Sequence, residues 1–531
     1  MRIHRLPAAF FGIAASLAAS PAAAQFALGP VNDQGQGPTP ALLDQLRQNT
    51  PSAFLPYDAQ NTPNAPQANP PMWQIAPRLD LREELTDNVR NSSTNRTEDL
   101  ITTVAPGVFV SADGPRFAAD LDYSPEIAKF ANASDQDHID HRLFTDLNAS
   151  VVSDLLNLEA RGSIFQSAAG GSLGALSPST LNAANRTNSY AYEASPVLRT
   201  RLDSLGDEEL RYILGQTWFT DNTGPNGTSN LLPISHATHQ EVRSITDTGD
   251  IGKYLSNRLT LDGQRTDVEG TIGSNKEAYG SDEILIHVRP NFALLGAAGY
   301  QIMTFANDSA QNLSEPTWYA GFQWQPNQDS MVELNYGHRD GADSFLGDMR
   351  YSLTPATTAY ASYAETVTTP QEAILSNLGG AIIGPNGTII SSTTGLPISL
   401  NNNELSLQND VERLKTFQAA LVTNLDPNRY GLTVIHQDQT SLTNLVPNDS
   451  MNGAFVTWDR QLNQADAVSL LTGYFWRDFA HSNTFNASAE LRHQFTDSLF
   501  GAISYSFADN YAAGGGGFYR NSLIFTLRKV F

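Results

Sequence analysis

Along much of this chain, apolar residues recur at every second position. Trp318, Ala320, Phe322 and Trp324 alternate with Tyr319, Gly321 and Gln323; after a turn at residues 326–330, Val332, Leu334 and Tyr336 alternate with Glu333, Asn335 and Gly337. Residues 417–425 and 430–436 repeat the pattern on either side of Asp426-Pro427-Asn428-Arg429. Residues 484–494 set Phe485, Ala487, Ala489 and Leu491 against Asn486, Ser488, Glu490 and Arg492. In the last eleven residues, 521–531, Leu523, Phe525, Leu527 and Phe531 share one face, with Ser522, Thr526 and Arg528 on the other. Successive side chains of a strand point to opposite faces, so each segment has an apolar side and a wet side. Trp and Tyr gather near the ends of these segments, as the aromatic girdles of a membrane barrel require.

The connections sort into two classes. Those at residues 353–357, 426–429 and 495–498 are short, whereas those at 305–316, 369–411 and 510–520 are long. Outer-membrane barrels have short periplasmic turns and longer external loops. Counting back from a periplasmic C-terminus makes the weakly patterned residues 454–461 a required strand. The expectation is an all-β, transmembrane antiparallel β-barrel with an even number of strands, about 22 in a range of roughly 16 to 22. Pro106-Gly107, Pro125, Pro196 and Pro290 fall in or beside candidate strands. A closed barrel has no free edge to host proline, so these predict bulges, strand ends or places where the wall stops pairing.

The rest of the chain is organised differently. Arg2, His4 and Arg5, an apolar stretch at residues 6–17, and Ala22-Ala23-Ala24 before Gln25 predict a cleaved signal peptide over residues 1–24. Residues 25–72 are rich in Pro, Asn, Gln and Gly and read as a periplasmic linker, with one short helix expected at residues 41–48 after Thr39-Pro40. The barrel is expected over residues 73–531. No later segment approaches the roughly 20 apolar residues of a membrane-spanning helix, so insertion must be by strands. The terminal strand, with Leu523, Phe525, Leu527 and Phe531, resembles the signal by which barrels are recognised for assembly. Lys529 departs from it on the apolar face, near enough to the strand end to snorkel. Outer-membrane lipid and the barrel assembly machinery are the partners this implies, and the cell outer membrane is the location.

Composition narrows the chemistry. Cysteine is absent, which removes disulfides, thiol nucleophiles and Cys-based metal sites. The formal charge of −23, which becomes −25 when Arg2 and Arg5 leave with the signal, argues against nucleic acid. His138-Ile139-Asp140-His141 is no metal motif on a strand, because residues three apart face opposite ways. Asp340, Asp343 and Glu365 are weighed as an outer-rim cation site, with solvated loop acids the plainer reading. The glycine run 514–517 lacks the helix and Lys of a phosphate loop and reads as an external loop. No catalytic, cofactor-binding or metal residue is assigned, and no enzymatic activity is expected. Glu333, Asp348, Arg350, Glu490, Arg492 and Arg528 are the candidate lumen-facing charges, because their strand neighbours are apolar.

The segment 369–411 is expected outside the membrane and partly over the pore, with Gly379, Gly380, Gly384 and Gly387 in turns and Ile382, Ile383, Ile389 and Ile390 packed on the barrel mouth. The leading function is a channel. Its rivals are a structural or anchoring barrel with a closed lumen, and a barrel hydrolase, for which no spacing identifies a nucleophile and base.

A family resemblance runs through several short stretches. They are ELTDN at residues 84–88, EDLITTVAPGV at 98–108, LDYSP at 121–125, SPVLRTRL at 195–202, WYAGFQWQPNQDSMVELNYGHRDG, YSLTPATTAYASYAETVTT and the terminal strand. In this order they resemble Gram-negative outer-membrane proteins associated with PEP-CTERM and exopolysaccharide systems, which are often described as β-barrel porins. The resemblance implies a porin-like barrel beside surface-polysaccharide machinery, with exopolysaccharide or its export apparatus as a partner. The Pro-rich arm and the segment 369–411 are where this chain departs from the common pattern.

Overall fold

The structure is a computed structural model and describes residues 73–168, 186–202, 206–220, 235–251, 254–269, 274–306, 312–383, 389–391, 410–443, 448–478, 481–512 and 517–531. The expected signal peptide, linker and short helix at 41–48 lie outside them, as does most of the glycine run 514–517. The first strands are β1 (Trp73–Thr86), β2 (Asp99–Gly114), β3 (Phe117–Phe130), β4 (His138–Val152), β5 (Leu156–Ala168), β6 (Arg186–Arg201), β7 (Asp207–Phe219) and β8 (Ala237–Ile251). There follow β9 (Leu255–Val268), β10 (Asn275–Arg289), β11 (Phe292–Thr304), β12 (Leu313–Asn327), β13 (Ser330–Arg339), β14 (Ala342–Thr354) and β15 (Thr357–Thr368). A helix, α1 (Pro370–Gly379), and a small hairpin, β16 (Ala381–Ile383) with β17 (Ile389–Ser391), precede β18 (Glu412–Leu425). The wall is completed by β19 (Asn428–Ser441), β20 (Asp449–Gln461), β21 (Asp466–Arg477), β22 (Ser482–Thr496), β23 (Leu499–Ala512) and β24 (Phe518–Val530).

Each wall strand pairs antiparallel with the next, β15 pairs with β18, and β24 returns to β1 from Arg78↔Val530 to Thr86↔Ser522. The result is a closed barrel of 22 strands. Closure leaves no free sheet edge around the ring and pairs most of the wall's backbone, which is what crossing a bilayer without helices requires. Residues 454–461, which parity had required to be a strand, belong to β20. The loops at 305–316 and 510–520 are shorter than expected, because β12 begins at Leu313, β23 reaches Ala512 and β24 begins at Phe518. Cross-strand hydrogen bonding carries these strands past the amphipathic part of their sequences.

The two faces of the wall differ as the alternation demands. Leu81, Leu85, Leu210, Leu214, Ile284, Ile286, Leu432 and Leu491 stand exposed on the outside, while Glu84, Glu193, Glu241, Glu277 and Asn335 are buried on the inside. Aromatic pairs band the exterior at two levels. Tyr190 stacks on Trp218 and Trp318 meets Tyr336 toward the long-loop rim; Trp73 meets Phe117, and Trp324 meets Tyr351, toward the short-turn rim. An apolar band between two aromatic girdles places this barrel in the outer membrane.

The prolines interrupt pairing locally. Pro106 and Pro125 lie opposite each other in the one gap of the β2–β3 ladder, between Val104↔Ile127 and Val108↔Tyr123, so two residues without an N–H share one defect. Pro196 falls in a gap of the β6–β7 ladder between Ala194↔Leu214 and Val197↔Arg211. On their other sides these strands stay paired, at Leu79↔Pro106, Pro125↔His141 and Leu158↔Pro196. Pro290 lies just past the end of β10, after a register shift between His287 and Arg289.

Two further interruptions open at the long-loop rim, where both strands continue but no longer pair with each other. The β4–β5 ladder stops at Leu143↔Ile164, although β4 runs on beside β3 to His138 and β5 beside β6 to Ala168. The β14–β15 ladder stops at Gly347↔Tyr363, although β14 runs on beside β13 to Ala342 and β15 beside β18 to Thr368.

Candidate functional site

The lumen is occupied by part of the segment between β15 and β18. Thr369 ends the strand and starts α1: its Oγ1 accepts from the Glu372 N–H at 3.3 Å, while a Glu372 carboxylate oxygen accepts from the Thr369 N–H at 3.0 Å. This reciprocal capping box, with Pro370 in the first turn, fixes where the helix begins. Ile374, Leu375 and Leu378 then fall on one face and bury against Phe144, Ala191 and Phe219, with Phe165 packed beside them. Leu378 is 0% and Ile374 1% exposed. Full burial of side chains of this size contributes up to about 1.5–3 kcal/mol each.

The wall is shaped to receive this helix. A Cβ on Gly215 would stand 2.9 Å from a Leu375 methyl, so glycine is what lets the helix lie this close to β7. Arg161 of β5 donates to the Gly379 carbonyl at 2.9 Å, and the Gln371 amide donates to the Ser235 carbonyl at 3.1 Å. The helix starts at β15 and docks on β5, β6 and β7, about nine strands away around a ring of 22, so it crosses the lumen.

Around it the inner wall is charged and internally paired. Asp146, Arg161, Glu159, Arg211, Glu209 and Arg199 form one chain of ion pairs across β4 to β7, with Arg211 to Glu159 at 2.8 Å and Arg199 to Glu209 at 2.9 Å. On β8 and β9, Arg243 lies between Glu241 at 2.6 Å and Asp262 at 2.7 Å. Farther round, the Gln301 side chain donates to Glu277 and to Asp340, and Arg339 lies over the Tyr279 ring at 4.5 Å. A cavity of about 530 Å³ lies between this wall, α1 and the upper part of β15, bordered by Arg211, Arg243, Glu277, Arg339, Glu365 and Glu372. Such a lining offers paired charges and amide groups to a hydrophilic solute while neutralising itself in its absence.

The six charges anticipated from sequence lie elsewhere on the wall. Glu333 accepts from Asn335 at 3.0 Å and lies opposite Gln323 and Asp348; Arg350 lies opposite Met331 and Tyr360. Glu490 pairs with Arg492 at 2.5 Å, and Arg492 also reaches Ser469. Arg528 grips Asp80 with two hydrogen bonds of 2.5 and 2.7 Å across the β24–β1 seam. None of the six borders the cavity; Glu333 faces Asp348 and Glu490 pairs with Arg492, but these pairs, Arg350 and Arg528 do not converge on one site. Arg161, Arg211 and Arg243, which line the cavity, each close a Glu-x-Arg pattern (Glu159-Ala-Arg161, Glu209-Leu-Arg211, Glu241-Val-Arg243) that puts both charges on one face of a strand; Glu490-Leu-Arg492 has the same form away from the cavity. In the terminal strand, Leu523, Phe525 and Leu527 are exposed on the outer face, Phe531 is exposed, and Lys529 reaches the Ser498 hydroxyl at 2.5 Å.

His138 opens β4, and His141 bonds the Tyr123 hydroxyl at 2.9 Å. Asp340, Asp343 and Glu365 each hold a different partner: Gln301, His338 and Arg413 respectively. Of the segment 369–411, the described helix Pro370–Gly379 lies in the lumen instead of above it, and its apolar anchor is Ile374, Leu375 and Leu378. Ile382 and Ile383 pair with Ile390 and Ile389 in the β16–β17 hairpin, and Gly384 and Gly387 lie outside the described residues. Thr369-Pro370-Gln371-Glu372 has the form of a capping box, a signal for the helix that the reading of 369–411 as an external segment passed over.

At the rim, Arg90 clamps Asp135 with hydrogen bonds of 2.8 and 2.6 Å, tying the β1–β2 loop to the β3–β4 loop. The Arg90 guanidinium holds the Asp135 carboxyl down at about 2.

No protein-family model matches this sequence, and no curated protein is significantly similar to it. Among solved structures, the chain is similar to the siderophore receptor PirA from Acinetobacter baumannii, at 9% identity and a TM-score of 0.48 over 86% of this chain and 80% of that one. It is similar to the FrpB iron transporter (F5-1 variant) from Neisseria meningitidis at 9% identity and a TM-score of 0.49, over 92% and 84% of the two chains. The ferric-catecholate import receptor Fiu from E. coli K12, in its closed form, matches at 9% identity and 0.48, over 86% and 81%. Similarities this distant say nothing of solute or mechanism.

Proposed function

We propose that this outer-membrane barrel is a conduit for hydrophilic solutes, narrowed by the inward-folded helix α1, and that no bond is made or broken in it. The observation that carries the reading is the position of α1 across the lumen, against a charged, self-paired wall and beside a cavity of about 530 Å³. A polar interior replaces a solute's water contacts while the apolar exterior satisfies lipid. For the solute class, the resemblance to exopolysaccharide-associated barrels supports a surface glycan, with its export machinery as the partner. Glu333, Asp348, Arg350, Glu490, Arg492 and Arg528 then line the short-turn half of the route, and Leu523, Phe525, Leu527 and Phe531 serve as the assembly signal.

Complete burial of Leu378 favours a second reading, an anchoring barrel whose helix shuts the lumen permanently. Single-channel recording of the purified protein in planar bilayers separates the two. The conduit predicts discrete openings in the parent protein and larger ones when α1 is undocked. A parent protein that never conducts, with conduction appearing only on undocking, supports the anchoring barrel.

A further inference from the structure

The wall beside the cavity is unzipped between β14 and β15. Residues 342–346 of β14 pair only with β13, and residues 364–368 of β15 only with β18, leaving two strand edges without a ladder between them. The separation has a visible cause. Val367 and Val411, on the arm formed by the ends of β15 and β18, bury against Met303, with Phe305 and Leu313 packed beside them. Met303 shares the inner face of β11 with Gln301, so the arm is drawn inward over the wall. Arg413 completes the attachment by donating to the Asp340 carbonyl at the tip of the β13–β14 hairpin, at 2.7 Å.

The cavity reaches both edges. Its lining includes Phe345 and Leu346 from one and Ala364 and Thr366 from the other. Outside, Tyr336 lies 6.1 Å from Trp318 and 4.9 Å from Phe345, and all three are exposed, so the gap stands at the aromatic girdle of the long-loop side, the level of the outer leaflet. Unpaired backbone facing hydrocarbon is costly, whereas backbone bordering a wet cavity is not. The β4–β5 interruption differs, because Phe144, Phe165 and the apolar face of α1 are packed behind it.

We infer that the β14–β15 gap is a lateral portal, through which a single-chain amphiphile passes between the outer leaflet and the lumenal cavity. The inference rests on the conduit reading for the onward path through the barrel. Phe345, Leu346 and Ala364 border the gap with apolar surface for an acyl chain. Arg339 and Glu365, the latter held by Arg413 at 2.9 Å, offer hydrogen bonds to a polar head just inside.

The chain has no cysteine, so single labels can be placed without background. Leu346→Cys on one edge, Ala364→Cys on the other, Phe345→Cys on the exterior and Ser488→Cys on the inner face of the continuous wall would each carry a bimane fluorophore. The labelled barrels would be reconstituted in vesicles doped with stearic acid bearing a nitroxide on its chain. The portal predicts that labels at 346 and 364 lose fluorescence to the same extent as the label at 345, while the label at 488 keeps it. Quenching at 345 establishes insertion of each preparation, and the two edge positions cover a label that blocks assembly at one of them. Labels at 346 and 364 as bright as that at 488 would overturn the portal. Conductance of the same preparations keeps the readings apart: a barrel that conducts with bright edge labels retains the conduit and loses the portal, and one that never conducts with quenched edge labels does the reverse.

Discussion

Among the described residues, neighbouring strands part at the long-loop rim in two places, between β4 and β5 and between β14 and β15, and the two differ in what lies behind them. At the first, Phe144 and Phe165 meet Ile374, Leu375 and Leu378, and the interior is dry and filled. At the second, a cavity lined by both edges opens toward Arg339 and Glu365. The same loss of ladder hydrogen bonds therefore yields a sealed wall in one case and an opening in the other. Both arise from one stretch of chain: its base, anchored by Val367 and Val411, draws β15 off β14, and its helix lands across the lumen where β5 leaves β4. In a closed barrel, the connection that narrows the pore also decides where the wall is continuous.

The largest way to break this contrast is Leu378→Asp. A carboxylate in a fully buried apolar cluster costs on the order of several kcal/mol on top of the lost burial of Leu378, so α1 should leave the wall while the barrel remains assembled. Conductance should rise, and a fluorophore at Phe165→Cys, shielded in the parent, should become open to aqueous quenchers. Unchanged conductance in an assembled, heat-modifiable variant would show that α1 is not the constriction.

Gly215→Leu attacks the same contact from the wall. The added side chain must displace Leu375, at a cost of about 1–3 kcal/mol by overpacking. Hydrogen exchange of the α1 amides should accelerate, with β7–β8 ladder amides unchanged.

Arg161→Met, a comparable or smaller loss, removes the donor to the Gly379 carbonyl and a charge partner of Asp146, worth about 1.5–3 kcal/mol for a charged hydrogen bond before screening by lumen water. It should loosen the C-terminal end of α1 first, read as faster exchange at residues 376–379 than at 372–374. Thr369→Ala reverses that order by deleting the capping box, at about 1 kcal/mol.

The smallest effect concerns the loop that leads into β4. Asp135 is held at about 2, below its ordinary 3.8, by the Arg90 hydrogen bonds. A depressed carboxyl contributes stability that is fully present above its ordinary value and lost as pH falls from about 4 to about 2. Both side chains are more than a third exposed, so the contribution stays below about 1 kcal/mol. Limited pepsin cleavage of the 131–137 loop should increase over that interval, and Arg90→Gln should flatten the dependence.

Much of the wall is legible in the sequence. The two-residue period located strands such as β12, β13 and β22; loop parity supplied the even count and demanded β20 where the pattern was weak. The bounds of the long connection, 369–411, coincide with the end of β15 and the start of β18. The site was less legible. Glu333 and Arg350 stand out because their neighbours are strongly apolar, whereas Arg161 sits between Ala160 and Gly162 and Arg243 between Val242 and Ser244, where alternation is weak, and α1 lies in a segment whose glycines suggest an external loop. Alternation reports which face a side chain takes, not the depth at which it sits or what approaches it from across the lumen.

By itself the sequence determined that the chain makes strands with one apolar face, that they are many and even in number, and that they close on each other, because lipid tolerates no unpaired backbone. Where the wall would open, and what would fill the lumen, was left to the tertiary structure. Those outcomes rest on contacts between residues far apart in the chain, Arg161 with Gly379, Ser235 with Gln371, Gly215 with Leu375 and Met303 with Val367. Each partner takes its meaning from a neighbour that only the closed ring brings within reach, and no local periodicity encodes that distance.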